Sequence, residues 1–438
     1  MSISSWGRLA GTLAIGLVVA GGAVACGDDD DGGTTGPAGQ GQFEGRGAIT
    51  LATGKDTTGT LQGQLDRWNA DHPDQKVTLA ELPESADGQR QQFIQNAQTK
   101  SDAYTVLNLD VVWTAEFAAN GWVEQLPEDQ FPIGEMIPST VETAKYFKKL
   151  YAVPYSTNAG LLFYRKDLLD KAGVTAAPKT WDEMKAACDK VKALPEGKTM
   201  GCYAGQFEKY EGLTVNFSEA VQSAGGKVVD DEGKPVVNSA EAKAGLEFLV
   251  NGFTSGLFPR EAVTYKEEEG RRAFQDGKLV FHRQWPYQWT LANKTDGSSK
   301  VAGKFGVAPL PGKSGVGSSS LGGANLAISK YAKNKASALE FIKWFSNAEN
   351  ARKNLEVASN APVYASIYSD AALQEKLPYL SVLKQGLDTA AARPRVVAYG
   401  DATTAIQENA YAAITGKKPV DQALADMQAK LTEVTAKK

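Results

Sequence analysis

The pattern of hydrophobic and polar positions alternates short apolar runs with longer amphipathic ones from Gly47 onward. Strand and helix in turn are predicted at residues 48–52, 61–71, 77–82, 90–99 and 104–112. Short apolar runs bounded by turn residues are typical of strands, and apolar positions three or four apart are typical of helices. This βαβαβ succession predicts a mostly parallel sheet with helices on both faces and ligands outside the carboxyl ends of its strands.

The middle of the chain indicates a second lobe. Extended segments at residues 152–155 and 161–164 precede a helix at 166–172, and we expect the chain to cross between lobes here. Further helices are predicted at 181–194, 213–224, 240–251 and 266–276, and strands at 279–283 and 324–328. The remainder is predicted to be helical. No repeat of fixed period occurs in the sequence, which excludes solenoids and propellers.

The first 25 residues are typical of an export signal, with Arg8 before an apolar run and small residues at its end. The run is shorter than the roughly 20 residues that a membrane-spanning helix needs. Ala23-Val24-Ala25-Cys26 resembles a bacterial lipobox, which implies cleavage before Cys26 and a diacylglycerol on its sulfur. An uncleaved anchor or an ordinary signal peptide is the alternative. Residues 26–44, rich in Asp, Gly and Thr, are predicted to be a flexible tether.

Two further cysteines, Cys188 and Cys202, lie 14 residues apart in a chain that we expect to be exported. Thiols outside the cytoplasm usually pair, so a structural disulfide is predicted. Closing a loop of about 15 residues contributes roughly 3 kcal/mol in the chain-entropy model. A zinc site is the weaker alternative, because two cysteines without a nearby histidine cannot fill a tetrahedral shell.

Composition narrows the function classes. The 438 residues are 42% hydrophobic and 22% charged, enough for two or three folded domains, and the net charge of −4 offers no basic surface for nucleic acid. His72 and His282 are the only histidines, and both are interpreted as structural or surface residues. The sequence lacks the Walker A, Gly-x-Ser-x-Gly, Gly-x-Gly-x-x-Gly and His-Glu-x-x-His motifs, so no metal or cofactor is expected. A glycoside hydrolase is not excluded, because it needs only two carboxylates.

Four segments, in this order, carry a family resemblance: LDVVWTAEFA at 109–118, VPYSTNAGLLFYR at 153–165, FHRQWPY at 281–287 and GGANLAIS at 322–329. Together they resemble the family 1 extracellular solute-binding proteins of ABC sugar importers, and within them the trehalose/maltose (α-glucoside)-binding branch of actinobacterial lipoproteins. The resemblance covers the chain from about residue 47. It implies an α/β, two-lobed periplasmic-binding-protein-like fold of type II, with hinged lobes around a central ligand cleft.

With this fold, lobe 1 is expected to comprise residues 45–157 plus about 312–365, and lobe 2 residues 158–311 plus about 366–438. The resemblance implies a lipid-anchored monomer on the outer face of the cell membrane, without catalysis. The protein would capture an α-linked disaccharide and present it to two permease subunits driven by a cytoplasmic ATPase.

Candidate ligand-binding residues follow from sugar chemistry, because hydroxyls need polar partners and C–H faces pack on aromatic rings. Asp110 lies at the carboxyl end of a predicted strand, with a helix N-cap as the alternative role. Asn158 lies in the predicted crossing and is otherwise a turn residue. Trp285 and Tyr287 flank Pro286, and on composition alone they are ordinary core aromatics.

The resemblance adds Gly323 as a close backbone approach, Glu267 as a cleft carboxylate, Arg90 from the first lobe and an arginine that is either Arg393 or Arg395. Solvated surface positions are the alternative for the charged residues. Relatives often carry Trp immediately after the second Gly of this motif, where the present chain has Ala324. The missing ring leaves room for a larger or differently linked α-glucoside.

Two rival functions remain open from the sequence. One is a surface-anchored glycoside-acting enzyme that uses two cleft carboxylates, and the other is a binder of non-sugar solutes such as peptides or polyamines. An aromatic platform at Trp285 favours a sugar over these solutes.

Overall fold

The computed structural model describes residues 43–230 and 232–436. The strands of this part are β1 (Ile49–Gly54), β2 (Val77–Leu82), β3 (Val106–Asp110), β4 (Lys145–Tyr146), β5 (Lys149–Leu150), β6 (Val153–Asn158), β7 (Leu161–Tyr164), β8 (Gly201–Ala204), β9 (Leu279–Gln284), β10 (Gly306–Ala308) and β11 (Gly322–Ile328).

Its α-helices are α1 (Leu61–Asp71), α2 (Ala86–Gln98), α3 (Thr114–Ala119), α4 (Pro138–Thr143), α5 (Lys166–Lys171), α6 (Trp181–Lys192), α7 (Glu211–Ser223), α8 (Ala240–Thr254), α9 (Glu267–Gln275), α10 (Gln288–Ala292), α11 (Lys335–Phe345), α12 (Ala348–Ala358), α13 (Ala371–Lys376), α14 (Leu380–Thr389), α15 (Tyr399–Ile414) and α16 (Val420–Thr435).

The hydrophobic pattern predicts the limits of the early helices and strands to within a few residues. The helix α1 and the strand β2 have the predicted limits. The helix α2 begins four residues before its prediction, because the Ser85 side chain accepts a hydrogen bond from the Gly88 amide and caps the helix there. The strand β3 ends at Asp110, and the Trp113 amide bonds to the Asp110 carbonyl in the turn that leads to α3.

Two larger sheets organise the described part. The first has the order β2-β1-β3-β11-β6, and the second has the order β10-β7-β9-β8. In the first sheet β1 is parallel to β2 and β3, but β11 is antiparallel to both β3 and β6. In the second sheet only β8 and β9 are parallel among the described pairs. Because β11 is antiparallel to both of its neighbours, β6 runs in the same direction as β1, β2 and β3. The prediction of a mostly parallel sheet is therefore confirmed for the first sheet, in which β11 runs against the other four strands, whereas the second sheet is mixed.

The mixed order follows from how the chain passes between the sheets. It leaves the first sheet at the end of β6 and enters the second at β7, two residues later. It returns between β10 and β11, so β11 enters the first sheet in the opposite direction to β3. The helices α15 and α16 pack against α7 and α8, beside the second sheet. These two α/β layers form the two lobes, whose residue limits stay a prediction.

The second lobe holds the predicted disulfide. Cys188 in α6 is bonded to Cys202 in β8, and both residues are buried. The prediction is confirmed. The bond joins a helix that covers the second sheet to an edge strand of that sheet.

The export signal, Cys26 and most of the tether lie outside the described residues. Within the part that the structure describes, no helix combines the length and the apolar character required to cross a membrane.

Candidate functional site

A cavity of about 130 Å³ lies where the ends of first-sheet strands face α7 and α9 of the other lobe. Six of the residues singled out in the sequence line it, namely Asp110, Asn158, Glu267, Trp285, Gly323 and Arg393. They come from six separate elements or loops of the chain. Convergence of acidic, basic, amide and aromatic groups on one hollow is typical of a small-molecule site.

Arg393 is the arginine at this cavity. Only 3% of the residue is exposed, and its guanidinium donates to Asp110 Oδ1 at 2.7 Å and to Glu211 Oε1 at 2.5 Å. Arg395, the other candidate, is half exposed and donates to the Glu142 carbonyl at 3.2 Å. Tertiary packing thus distinguishes two arginines that are equivalent in the sequence.

Glu211 is a cavity residue that sequence reasoning missed. It accepts hydrogen bonds from the Tyr399 hydroxyl at 2.5 Å and from Thr403 Oγ1 at 2.7 Å, besides the one from Arg393. Burial, with a smaller contribution from Asp110, raises the pKa of Glu211 to about 7, although Arg393 opposes the shift. In the sequence Glu211 is only an acidic residue in the first turn of a helix, a common position that carries no functional signal.

Asp110 lines the cavity, but it is not the helix N-cap weighed as its alternative role, because the N-cap of α3 is Trp113, without a side-chain hydrogen bond. Asp110 Oδ1 accepts a hydrogen bond from the Val112 amide at 3.2 Å, which stabilises the turn after β3. The same oxygen accepts the bond from Arg393. The side chain is still 21% exposed, so it combines a structural turn with access to the cavity.

Trp285 and Asn158 approach each other across Gly322. A Cβ built on Gly322 would lie 3.0 Å from two atoms of the Trp285 ring and 3.2 Å from the Asn158 Cβ. Gly323, next along β11, has a φ of 129°. A Cβ there would lie 2.3 Å from the Ser156 carbonyl oxygen, so only glycine fits. The two glycines allow a ring from one lobe to reach the backbone of the other.

Glu267 begins α9 and reaches the cavity from the second lobe. The Tyr210 hydroxyl donates to its Oε2 at 2.7 Å. Burial raises the pKa of Glu267 above its ordinary value. The Glu267 carboxyl is therefore a hydrogen-bond acceptor that Tyr210 holds in place and that is partly shielded from water.

Two predicted site residues lie elsewhere. Tyr287 lines a second cavity of about 200 Å³, and its hydroxyl donates to Glu268 Oε1 at 2.7 Å. Arg90 pairs with Glu116 and lies against Gly400, where a Cβ would be 2.3 Å from the Arg90 guanidinium. The structure therefore brings six of the eight predicted ligand residues to one cavity, and a role for the other two stays a prediction.

The second cavity contains further polar residues that sequence reasoning missed. Lys55 and Asp56 directly follow β1, and this position at a strand end was an available signal. Among the described residues, three buried acceptors that line this cavity have no hydrogen-bond partner: Gln64 Oε1, Asn108 Oδ1 and Asn354 Oδ1. Unpartnered buried acceptors are costly, so these three atoms make this cavity a second candidate for a polar site.

The histidines contribute nothing to either cavity lining. His282 is buried in β9, and its Nδ1 lies 2.7 Å from Gln288 Oε1, while burial lowers its pKa to about 3. The His72 ring stacks on Trp68 at 3.6 Å between centroids. Among the described residues no group of three His, Cys, Asp or Glu side chains is placed to hold a metal ion.

Comparison with known proteins assigns the family. Residues 54–352 match the family model described as bacterial extracellular solute-binding protein. The chain belongs to this family. This solute-binding protein is 32% identical over 405 residues to a probable ABC transporter-binding protein of Deinococcus radiodurans, covering 88% of the present chain and 94% of the relative. It is also 25% identical over 346 residues to the mannitol-binding protein of Pseudomonas aeruginosa, covering 75% and 77%.

A solved structure gives the same assignment. The solute-binding protein superposes on maltose-bound MalE3 of T. maritima with a TM-score of 0.83 and 34% identity, covering 88% of the present chain and 99% of the other. The predicted α/β, two-lobed fold is thereby confirmed.

Proposed function

We propose that the protein captures an α-linked disaccharide of the trehalose/maltose type between its two lobes and delivers it to an ABC importer. The observation that carries the proposal is the cavity in which the Trp285 ring faces Asp110, Glu267 and Arg393. A pyranose has this mixed character, since its C–H face packs on a ring while its hydroxyls bind charged groups.

The second cavity supports a ligand longer than one hexose. Its three unpartnered acceptors, on Gln64, Asn108 and Asn354, need hydrogen-bond donors that a second sugar ring supplies. Tyr287 lines this cavity, and Trp285, two residues before it, lines the first. In this proposal one disaccharide contacts both Trp285 and Tyr287 and so occupies both cavities.

The comparisons support sugars and polyols as the ligand class. The solved relative with 34% identity binds maltose, and a relative with 25% identity is a mannitol-binding protein. Aromatic stacking favours a ring sugar over an open-chain polyol, because a pyranose presents a flat C–H face. The proposal therefore ranks maltose and trehalose ahead of mannitol.

The proposed mechanism is closure of the two lobes on the sugar, without chemistry. Binding shifts an equilibrium between open and closed forms towards the closed form, which the two permease subunits then recognise. Diacylglycerol on Cys26 would hold the protein at the outer face of the membrane, with residues 26–44 as its tether. These two elements of the proposal come from the sequence resemblance.

Thermal unfolding of the chain from residue 27, with maltose, trehalose, mannitol and a tripeptide at millimolar concentration, tests the proposal. A ligand at about 100 times its Kd stabilises by about 2.7 kcal/mol, so a true ligand raises the Tm by several degrees. We expect that rise with maltose or trehalose only. A response to the tripeptide or to none of the four contradicts the proposal, and steady release of glucose from either sugar contradicts the absence of catalysis.

A further inference from the structure

Arg283 is a buried cation directly beneath the Trp285 ring. It lies in β9 with no exposed surface, and its guanidinium carbon is 3.9 Å from the centroid of the Trp285 ring. Arg283 is not part of the lining of the cavity that holds Trp285. A planar guanidinium stacked on an aromatic face fixes the plane of the ring and attracts its electrons.

The guanidinium itself is held from two sides. Its Nε and Nη2 donate to the two oxygens of Glu219 at 2.7 and 2.5 Å, and its Nη1 donates to Gln206 Oε1 at 2.9 Å. Glu219 is also buried. A bidentate pair in a dehydrated setting leaves a guanidinium little freedom to rotate, so the ring stacked on it has a fixed support.

Glu219 joins this support to one of the three chain segments that are expected to cross between the lobes. Its Oε1 accepts hydrogen bonds from the Ser320 amide at 3.1 Å and from the Ser319 hydroxyl at 3.3 Å. Both serines lie between β10 and β11, in the segment that returns to the first sheet.

A second crossing segment contacts the same ion pair. The Gly160 amide, between β6 and β7, donates to Ser319 Oγ at 2.5 Å. A Cβ on Gly160 would lie 2.7 Å from both Arg283 Nη2 and Glu219 Oε1, so the backbone there packs directly on the ion pair. Two of the segments that cross between the lobes therefore contact the ion pair that supports the ring.

From these contacts we infer that Arg283 is a positioning residue: it holds the Trp285 ring in the plane that a sugar face needs, and Glu219 connects it to the crossing segments at Gly160 and at Ser319–Ser320. A ligand that packs on the Trp285 ring is therefore connected to these crossing segments through the buried Arg283–Glu219 ion pair. The inference rests on the proposed function for its sugar-binding consequence but not for the ring geometry.

A ligand-free measurement tests the geometry. Arg283→Lys keeps the charge but loses the planar stack and the bidentate pair. The Trp285 fluorescence is obtained by subtracting the spectrum of each protein that also carries Trp285→Phe. We expect the Trp285 emission of Arg283→Lys to move to longer wavelength and to be quenched more by acrylamide. Arg165→Lys is the matched control, because Arg165 also forms a bidentate pair, with Asp167, away from the ring.

Maltose titrations of a double-mutant cycle test the consequence. Arg283→Lys should weaken maltose binding about threefold to thirtyfold, the range of a cation–π contact. In a Trp285→Leu background the same change should have less than about a twofold effect, because the ring through which it acts is gone. Glu219→Asp, which shifts the guanidinium without removing a charge, should act in the same direction and serves if Arg283→Lys fails to fold.

Three results overturn the inference. They are an unchanged Trp285 spectrum in both Arg283→Lys and Glu219→Asp, equal maltose affinity in these variants and the unaltered protein, and penalties that simply add in the double mutant. Absence of maltose binding by the unaltered protein contradicts the proposed function instead, and the fluorescence comparison then still decides the role of Arg283.

Discussion

Arg393 and Glu211 form an ion pair inside the protein, with 2.5 Å between Nη1 and Oε1, although they are 182 residues apart in the chain. Arg393 also binds Asp110 at the end of β3, so one guanidinium holds carboxylates from both lobes. Charge pairs that bridge lobes are sensitive to closure and to pH, because their members are only partly compensated within either lobe.

The pH dependence of stability should reveal Glu211. Its folded pKa of about 7 lies above the ordinary 4.5, so the native state binds the proton more tightly than the unfolded state. The free energy of unfolding therefore falls as pH rises from about 4.5 to about 7, by about 3 kcal/mol from this group. Urea unfolding at pH 5 and pH 8 measures this change.

Glu211→Gln removes the titration, so the stability of this variant should vary less between pH 5 and pH 8 than that of the unaltered protein. At pH 5 the Glu211 carboxyl is itself protonated and neutral, so the stabilities of the two proteins should be similar there. The same slope in both proteins would show that Glu211 does not titrate in this range.

Trp285→Ala should abolish the rise in Tm caused by maltose while leaving a cooperative unfolding transition. Removing an aromatic anchor costs on the order of tenfold or more in affinity. Trp344→Ala is the matched control, because Trp344 is also half-buried but packs on Trp68 and Phe341 in the first lobe. An equal loss of response in both variants would mean that damage to the fold, rather than loss of the platform, is responsible.

Gly323→Ala should destabilise the protein and weaken sugar binding together. Its φ of 129° and a Cβ 2.3 Å from the Ser156 oxygen force the backbone of β11 away from β6. Strain of this kind costs about 1–3 kcal/mol in the free energy of unfolding, measured by urea titration. Gly315→Ala, where a Cβ meets nothing within 4 Å, should be nearly neutral. A neutral Gly323→Ala would show that β11 can shift without cost.

Replacing Cys188 and Cys202 together by Ser should lower the free energy of unfolding by about 3 kcal/mol, because the 14-residue loop between them is no longer closed. Neither cysteine lines either of the two cavities described above, so maltose affinity should stay within about twofold. Calorimetry of unfolding and of maltose binding measures both quantities. A large loss of affinity would indicate that the disulfide shapes the cleft.

Local pattern predicted much of the secondary structure. Apolar periodicity predicted α1 and β2 with their observed limits, because each element buries one face and the spacing of apolar residues in the sequence shows which residues form that face. The direction of β11 was not predictable, since it depends on the path of a long return segment. The parallel order inferred from the first five elements is confirmed for β1, β2 and β3, and β11 then joins the same sheet in the opposite direction.

For the candidate site, too, some features were determined by the sequence and others only by the tertiary structure. The sequence alone determined which chemistry was available: an acid at the end of β3, an aromatic pair around Pro286, a double glycine at the start of β11, and two cysteines placed to pair. Only tertiary structure decided which groups meet, selecting Arg393 over Arg395, adding Glu211, and placing Tyr287 and Arg90 away from the first cavity. The physical reason is range, because propensity and periodicity act between near neighbours, whereas a buried charge takes its partner from wherever packing brings one.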